Sequence, residues 1–138
     1  MNGEFQKTET VMKILRNYRT IAVVGISDKE DRPSFRVASY LQSQGYRIVP
    51  VNPRISTVLG EDAYPDLRSI PFEIDVVDIF RRSEDVPPIV DSAIEIGARA
   101  VWMQEGVISP ESAGKARENG LDAVMDLCML KEHRKIAI

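Results

Sequence analysis

The sequence predicts an α/β fold, in which a single Rossmann-like domain over residues 1–138 has a five-stranded parallel sheet with helices on both faces. Short apolar runs, typical of buried parallel strands, alternate along the chain with segments whose apolar residues recur at helical spacing. A chain of 138 residues suits one hydrophobic core, and no repeat or low-complexity linker divides it. Strands joined by helical crossovers pair in parallel, and we expect the strand order 3-2-1-4-5.

The first half of the chain is expected to form helix, strand, helix and strand. The first helix is predicted over about 9–18, because its apolar residues then share one face: Val11, Ile14, Leu15 and Tyr18. The run 21–26 predicts the first strand. The next helix is expected to start at Ser34 and to end before Gly45, since glycine is common just after a helix. The second strand is predicted over 46–52.

The second half is expected to contain a long connection and three more strands. Residues 53–71 hold three prolines and one glycine, so they are predicted to be mostly loop. The remaining strands are predicted at 74–80, 99–104 and 122–126. Helices are predicted over about 84–96, from Ser109 as N-cap to Gly120, and as a short turn over about 129–134 in the tail 127–138.

Composition and charge exclude several classes of partner. The net charge of −3 gives no general attraction to nucleic acid or to a membrane surface. No apolar run approaches the roughly 20 residues of a membrane span. One cysteine cannot form an internal disulfide, so a cytoplasmic location is expected. One histidine and one cysteine are too few for a usual zinc site, so no metal is expected.

Ligands of open parallel sheets bind outside the carboxyl ends of the strands, so the loops there are the candidate site. The loop after the first strand offers Gly25 for a tight turn, a backbone amide at Ile26 or Ser27, and the hydroxyls of Ser27 and Ser34. A helix start at Ser34 also suits a phosphate, because its N–H groups are unpaired. Arg32 adds positive charge. The alternative is an ordinary strand-to-helix turn, because a single glycine is a weak motif.

The end of the second strand distinguishes between nucleotides. An NAD site normally has an acidic residue there to hold the ribose hydroxyl, but this strand ends in Val51, Asn52, Pro53 and Arg54. An arginine suits a ribose that carries an additional phosphate. Both NADP and coenzyme A fit this pattern, and a solvated surface arginine remains the alternative.

The later strand ends contribute further candidates. Arg81 and Arg82 follow the third strand, and one of them is expected to face the crevice. Glu105 resembles a general base, but the sequence identifies no partner for it. Gly106 would allow a ligand close to the backbone. His133 lies in a polar tail and is expected to be solvated.

The sequence resembles a family of small bacterial and archaeal CoA-binding proteins. The resemblance covers roughly residues 15–134 and depends on an ordered set of segments: VVGISDKEDRPSFRVASYLQSQGYRIVPVNPR, GEDAYPDL, DVVDIFRRSEDVP, AVWMQEGV and MDLC. The family's domain is similar to the CoA-binding domain of the succinyl-CoA synthetase α subunit. The resemblance therefore favours coenzyme A over NADP.

The resemblance also implies roles for the candidate residues. The turn containing Gly25, Ser27 and Ser34 would hold the diphosphate. The other matching turns would lie near the 3′-phosphate (Val51, Asn52, Pro53 and Arg54), the adenine or ribose (Phe80 and Arg81) and the pantetheine (Gln104, Glu105 and Gly106). No catalytic residue is carried over, because the phosphorylated histidine of the synthetase lies in a domain with no counterpart here.

The expected function is therefore that of a CoA-binding protein without its own catalysis, such as a carrier, a sensor or a thiol-handling module for CoA or acyl-CoA. The alternatives are an NADP-dependent oxidoreductase and a nucleotide-binding subunit of a larger enzyme. Besides the small-molecule ligand, the candidate partners are a second copy of the chain, in a homo-oligomer, and a catalytic partner chain. Cys128 follows the fifth strand at the same edge, so a reversible disulfide with the CoA thiol is a hypothesis. The alternative is that Cys128 is a small core residue.

Overall fold

The computed structural model describes residues 3–136. Seven strands occur in this part of the chain: β1 Thr20–Val24, β2 Arg47–Val51, β3 Thr57–Val58, β4 Glu61–Asp62, β5 Val76–Ile79, β6 Ala100–Met103 and β7 Asp122–Val124. Five α-helices accompany them: α1 Gly3–Asn17, α2 Pro33–Ser43, α3 Val86–Glu95, α4 Pro110–Glu118 and α5 Met129–Ile136. Short 3-10 turns cover Leu67–Ser69 and Ser83–Asp85.

The main sheet has five parallel strands in the order β2-β1-β5-β6-β7. This arrangement confirms the α/β class, but the expected order 3-2-1-4-5 is wrong. The third long strand, β5, pairs directly with β1, where Ile21 lies opposite Val76 and Val24 opposite Ile79. Numbered along the chain, the five strands lie in the order 2-1-3-4-5. The reversal of direction therefore lies between β1 and β5, and the loops after these two strands border the crevice.

Helices cover both faces of the sheet, as expected. Successive residues of a strand point to opposite faces. One set, which includes Ala22 and Val77, packs with buried residues of α3 and α4. The other set, which includes Val23 and Trp102, packs with α1, α2 and α5 and forms what we call the α1/α2/α5 core. Among residues 3–136 no helix is long and apolar enough to cross a membrane.

The predicted helix boundaries hold at three ends and shift at one. Gly45 follows α2 with a φ of +95°, and the Ser109 hydroxyl accepts a hydrogen bond from the Ser112 amide at the start of α4. Gly120 follows α4 with a φ of +85°. Helix α1 instead begins at Gly3 rather than near residue 9. No proline interrupts the residues between these positions, so nothing in the backbone stops the helix there.

The outer edge of β2 is covered by the connection between β2 and β5. That connection is mostly loop, as predicted, with a small antiparallel hairpin formed by β3 and β4. The Tyr64 amide donates to the Pro50 carbonyl at 3.0 Å, and its carbonyl accepts from the Asn52 amide at 2.9 Å. The Arg47 guanidinium lies 4.0 Å from the centre of the Phe72 ring. At the opposite edge, Arg117 donates to the Ala123 carbonyl at 3.0 Å.

Candidate functional site

Three adjoining hollows lie at the carboxyl ends of β1, β2 and β5, and all three are lined by Gly25 and Asn52. The α2 hollow, of about 650 Å³, lies in front of the first turn of α2. The α3 hollow, of about 380 Å³, faces α3 and the turn that precedes Leu67. The central hollow, of about 430 Å³, is lined by Phe80, Arg81, Arg82 and Asp85 in addition to the shared pair.

Gly25 lies where the loop after β1 crosses the turn after β5. Its φ is +88°, and a Cβ atom there would lie 2.5 Å from the Phe80 carbonyl oxygen. Its amide donates to the Val51 carbonyl at 2.9 Å, and the Phe80 amide donates to the Val24 carbonyl at the same distance. The protein's own backbone therefore requires a glycine at this turn.

The first turn of α2 has no side-chain cap, because the residue at the cap position is Arg32. Ser34 is buried, and its hydroxyl accepts a hydrogen bond from the Ser27 amide at 3.0 Å. The Ser27 hydroxyl in turn accepts from the Lys29 amide at 3.1 Å. Both predicted serines thus shape the loop, and each hydroxyl retains a proton that can be donated to an anion. The Ser27 amide, in contrast, already has a partner within the protein.

We expect Ser34→Ala to lower the free energy of unfolding by about 1 kcal/mol, because the half-buried Ser27 amide loses its acceptor. Urea unfolding followed by circular dichroism would measure the loss. Ser43→Ala is the matched control, since Ser43 is an exposed serine in the last turn of the same helix. Equal losses in the two variants would contradict the role assigned to Ser34.

Asn52 joins the loops after β1 and β2. Its side-chain amide donates to the Ile26 carbonyl at 2.8 Å, and its side-chain oxygen accepts from the Arg54 amide at 2.8 Å. The Arg54 side chain is exposed and lines the α2 hollow. Among the side chains of residues 8–136, no acidic group lies within ion-pair distance of its guanidinium. Asn52 therefore fixes the backbone at Arg54, whose guanidinium has no carboxylate partner in this part of the chain.

The two arginines after β5 share one carboxylate. Arg82 lies 3.2 Å from an Asp85 oxygen, and Arg81 lies 3.4 Å from the same oxygen. The hydrogen bond from Arg82 lowers the pKa of Asp85. Both arginines line the central hollow, and Arg81 also lines the α3 hollow. The expectation that only one of the pair faces the crevice is therefore wrong.

The predicted residues after β6 do not line the three hollows. Gln104 is buried, and its amide donates to Asp78 at 2.6 Å. Glu105 is exposed and forms an ion pair with Lys131 at 3.1 Å, a partner that the sequence did not reveal. The Gly106 amide donates to the Asp126 carboxylate at 2.8 Å. These residues also lie at the carboxyl ends of the strands, but β5 separates their strand, β6, from β1 and β2, which Gly25 and Asn52 follow.

The sequence did not predict the positions of several residues in and near the site. Asp78 is fully buried within β5, and burial raises its pKa to about 7. His133 is not simply solvated, because its Nδ1 lies 2.7 Å from the Tyr40 hydroxyl and burial lowers its pKa. The apolar lining of the α3 hollow was also missed: Pro65, Leu67, Pro88 and Ile89. Of these residues, only Asp78 had a signal in the sequence, because an aspartate is unusual inside an apolar strand.

Cys128 lies at the β7 end, where it is half-buried against the α1/α2/α5 core. Its carbonyl accepts a hydrogen bond from the Glu132 amide at 3.0 Å, within the first turn of α5. In the described part of the chain, no group of three or more histidine, cysteine or acidic residues is placed to hold a metal ion. The disulfide hypothesis for Cys128 stays a prediction.

Comparisons with known proteins agree with the fold. The chain is 40% identical over 123 residues to the uncharacterized protein YneT of Bacillus subtilis, covering 89% of this chain and 91% of that protein. The structure of a hypothetical protein from Pyrococcus horikoshii OT3 matches with a TM-score of 0.88 at 40% identity, over 93% of this chain and 90% of that one.

A much larger enzyme shares a similar segment. The ADP-forming acetate–CoA ligase II of Archaeoglobus fulgidus is 26% identical over 114 residues, which are 79% of this chain and 17% of the ligase. Residues 19–134 match the family model described as CoA binding domain. The resemblance drawn from the sequence is thereby confirmed, and the chain belongs to the CoA-binding domain family.

Proposed function

We propose that the protein binds coenzyme A across the three hollows and performs no catalysis of its own. The observation that carries this proposal is the α2 hollow, which is lined both by an uncapped helix start and by the unneutralised Arg54. Its lining includes three cationic side chains, Lys29, Arg32 and Arg54, and one acidic side chain, Asp28. A hollow of this charge suits a ligand with several phosphates.

The diphosphate of coenzyme A would lie before the first turn of α2. Pro33 has no N–H and the Arg36 amide donates to the Arg32 carbonyl at 3.1 Å, so the amides of Ser34 and Phe35 are left without a partner within the helix. The positive end of the helix dipole points into the hollow. The hydroxyl protons of Ser27 and Ser34 can add hydrogen bonds. The acidic residues of the loop, Asp28, Glu30 and Asp31, are exposed, as this proposal requires.

The 3′-phosphate would bind to Arg54, which the Asn52 side chain holds at the rim of the same hollow. The base would enter the α3 hollow, whose lining includes Pro53, Pro65 and Ile89 together with Arg81. Apolar walls and a planar guanidinium suit an aromatic base. The pantetheine would then run past the β6 end, where Glu105 and Gly106 are exposed.

A binding role without catalysis is supported by the side chains available. Among the residues that the structure describes, neither histidine nor cysteine lines the three hollows, so the serines there have no imidazole beside them to act as a general base. The segment shared with the acetate–CoA ligase covers 17% of that enzyme, so its ligase activity is not part of the proposal. A carrier, a sensor or a CoA-presenting partner of a separate catalytic chain would each use the same site.

Titration calorimetry with coenzyme A, NADP and NAD tests the proposal. We expect coenzyme A to bind more tightly than either dinucleotide, because only coenzyme A matches both the phosphate pattern and the family. NADP is the informative competitor, since its 2′-phosphate could also bind to Arg54. Equal or tighter binding of NADP would reject the CoA assignment. Mass spectrometry of small molecules released from the purified protein would identify any acyl group.

A further inference from the structure

Asp78 is an anomaly in the interior of the sheet. It lies in the middle of β5, opposite Val23 of β1 and Trp102 of β6, and is 0% exposed. One carboxyl oxygen accepts a hydrogen bond from the Gln104 side-chain amide at 2.6 Å. The other, Oδ2, is buried and has no hydrogen-bond partner among the residues that the structure describes. A buried polar atom without a partner is costly, and a buried unpaired charge is more so.

Gln104 connects this carboxyl group to helix α5. Its side-chain oxygen accepts a hydrogen bond at 3.4 Å from the amide of Met129, the first residue of α5. Trp102, the neighbour of Asp78 across the β5–β6 pair, donates from its indole nitrogen to the Leu127 carbonyl at 2.9 Å. Two side chains therefore hold the start of α5: Trp102 within β6 and Gln104 just after it. Gln104 also binds Asp78.

Among the side chains of residues 8–136, no cation forms an ion pair with Asp78. Five titratable residues pack against this face: Tyr18, Tyr40, Tyr46, Cys128 and His133. Of the charged residues on the same helices, Lys13 pairs with Asp122, and the largely buried Glu132 side chain pairs with Lys135. None of them, within residues 3–136, donates a hydrogen bond to the Asp78 carboxyl group. Lys131 of α5 is directed to Glu105 instead. An ionised Asp78 would therefore have the Gln104 amide as its one side-chain donor in this part of the chain.

We propose that Asp78 and Gln104 form a proton-sensitive latch that holds the start of α5 on the sheet when Asp78 is protonated and releases it when Asp78 is ionised. An ionised carboxylate gains most from water at its unpartnered oxygen. Water can reach that oxygen if the first turn of α5 lifts away, which breaks the contact between Met129 and Gln104. The helix has eight residues and follows the last strand of the sheet, so lifting its first turn breaks no strand pair.

The direction of the pH dependence follows from burial. Desolvation raises the pKa of Asp78 from 3.8 to about 7, against the opposing effects of hydrogen bonding to the Gln104 side chain and to the Ile79 backbone. When the latch is open, water restores a pKa near the ordinary value of about 4. The closed state therefore binds a proton that the open state lacks between these two values. The closed state is lost progressively as pH rises through this window, and the dependence levels off above the closed-state pKa.

Hydrogen exchange at the Met129 amide tests the latch directly. After correction for intrinsic exchange, we expect its protection in the wild-type protein to fall about tenfold between pH 6 and pH 8. Fluorescence of Trp102, the one tryptophan, should change over the same range, because its indole binds the turn before α5. Asp78→Asn should abolish both changes. Asp91→Asn is the matched control, since Asp91 is exposed and pairs with Lys115, and it should retain them.

Two outcomes would overturn the proposal. One is pH-independent protection of Met129 in the wild-type protein, and the other is an unchanged pH dependence in Asp78→Asn. If Asp78→Asn does not fold, the proposal is tested on the wild-type protein by measuring the pKa of Asp78 from the pH dependence of its carboxyl ¹³C resonance. The Asp78 resonance should then show a midpoint above pH 6, and a midpoint near pH 4 would reject the latch. The test uses no ligand, so its failure would leave the CoA-binding proposal unaffected.

Discussion

Replacing Gly25 with alanine is expected to lower the free energy of unfolding by about 3 kcal/mol. The positive φ of +88° contributes about 1–2 kcal/mol, since an L-residue is strained in that region. The new Cβ would also lie 2.5 Å from the Phe80 carbonyl oxygen and 2.9 Å from the Arg81 Cδ, so the β1 and β5 loops must separate. Such overpacking adds about 1–3 kcal/mol. Urea denaturation followed by circular dichroism would measure the total.

Gly106→Ala provides the matched control for this prediction. Gly106 has a similar φ of +82°, but a Cβ there meets nothing within 4 Å. It should therefore lose only the backbone contribution, about 1–2 kcal/mol. Equal losses at the two glycines would show that the Phe80 carbonyl yields easily. Gly25 both stabilises the fold and lines the hollows. A loss of binding in Gly25→Ala would therefore not by itself identify the ligand site.

Arg54→Ala is expected to weaken coenzyme A binding about 10- to 100-fold. A hydrogen bond to a charged group contributes about 1.5–3 kcal/mol, and every 1.4 kcal/mol corresponds to about tenfold in affinity. Affinity for 3′-dephospho-CoA should change by less than about threefold, because that ligand lacks the phosphate that Arg54 would bind. Calorimetry on both proteins with both ligands would measure the four affinities.

The control for Arg54→Ala is Lys115→Ala, which removes a positive charge from the exposed face of α4, where Lys115 pairs with Asp91. It should leave both affinities unchanged, apart from a small general electrostatic effect. If Arg54→Ala weakens both ligands equally, Arg54 contacts another part of coenzyme A. If it weakens neither, the 3′-phosphate binds elsewhere.

The elements of the fold could be predicted because their signals are local. Pro110 after Ser109 and the glycines after α2 and α4 each act within a few residues. The strand order is not local, since the placement of β5 beside β1 depends on which side of β1 the long connection from β2 returns. The apolar runs are compatible with both orders, so the sequence did not distinguish them.

In the candidate site too, local features could be predicted and long-range contacts could not. Gly25, Asn52 and Arg54 follow strands whose carboxyl ends meet, so sequence position alone grouped them. The pairs that the sequence did not reveal join residues far apart in the chain, as with Gln104 and Asp78, which are 26 positions apart. The residue type of a glutamine or an aspartate does not indicate which distant side chain it will contact. Only the pairing of β5 with β6 brings these two side chains together.

The covered edges of the sheet affect how molecules of this protein meet one another in concentrated solution. Exposed strand edges act as templates on which another chain can add a strand, a common start of aggregation. Pro50 removes one donor from the β2 edge, and Tyr64 pairs with the Pro50 carbonyl and the Asn52 amide, the outward backbone groups on either side of Val51. Arg117 occupies the Ala123 carbonyl at the β7 edge. Growth of the sheet by strand addition is therefore hindered at both ends while the protein remains folded.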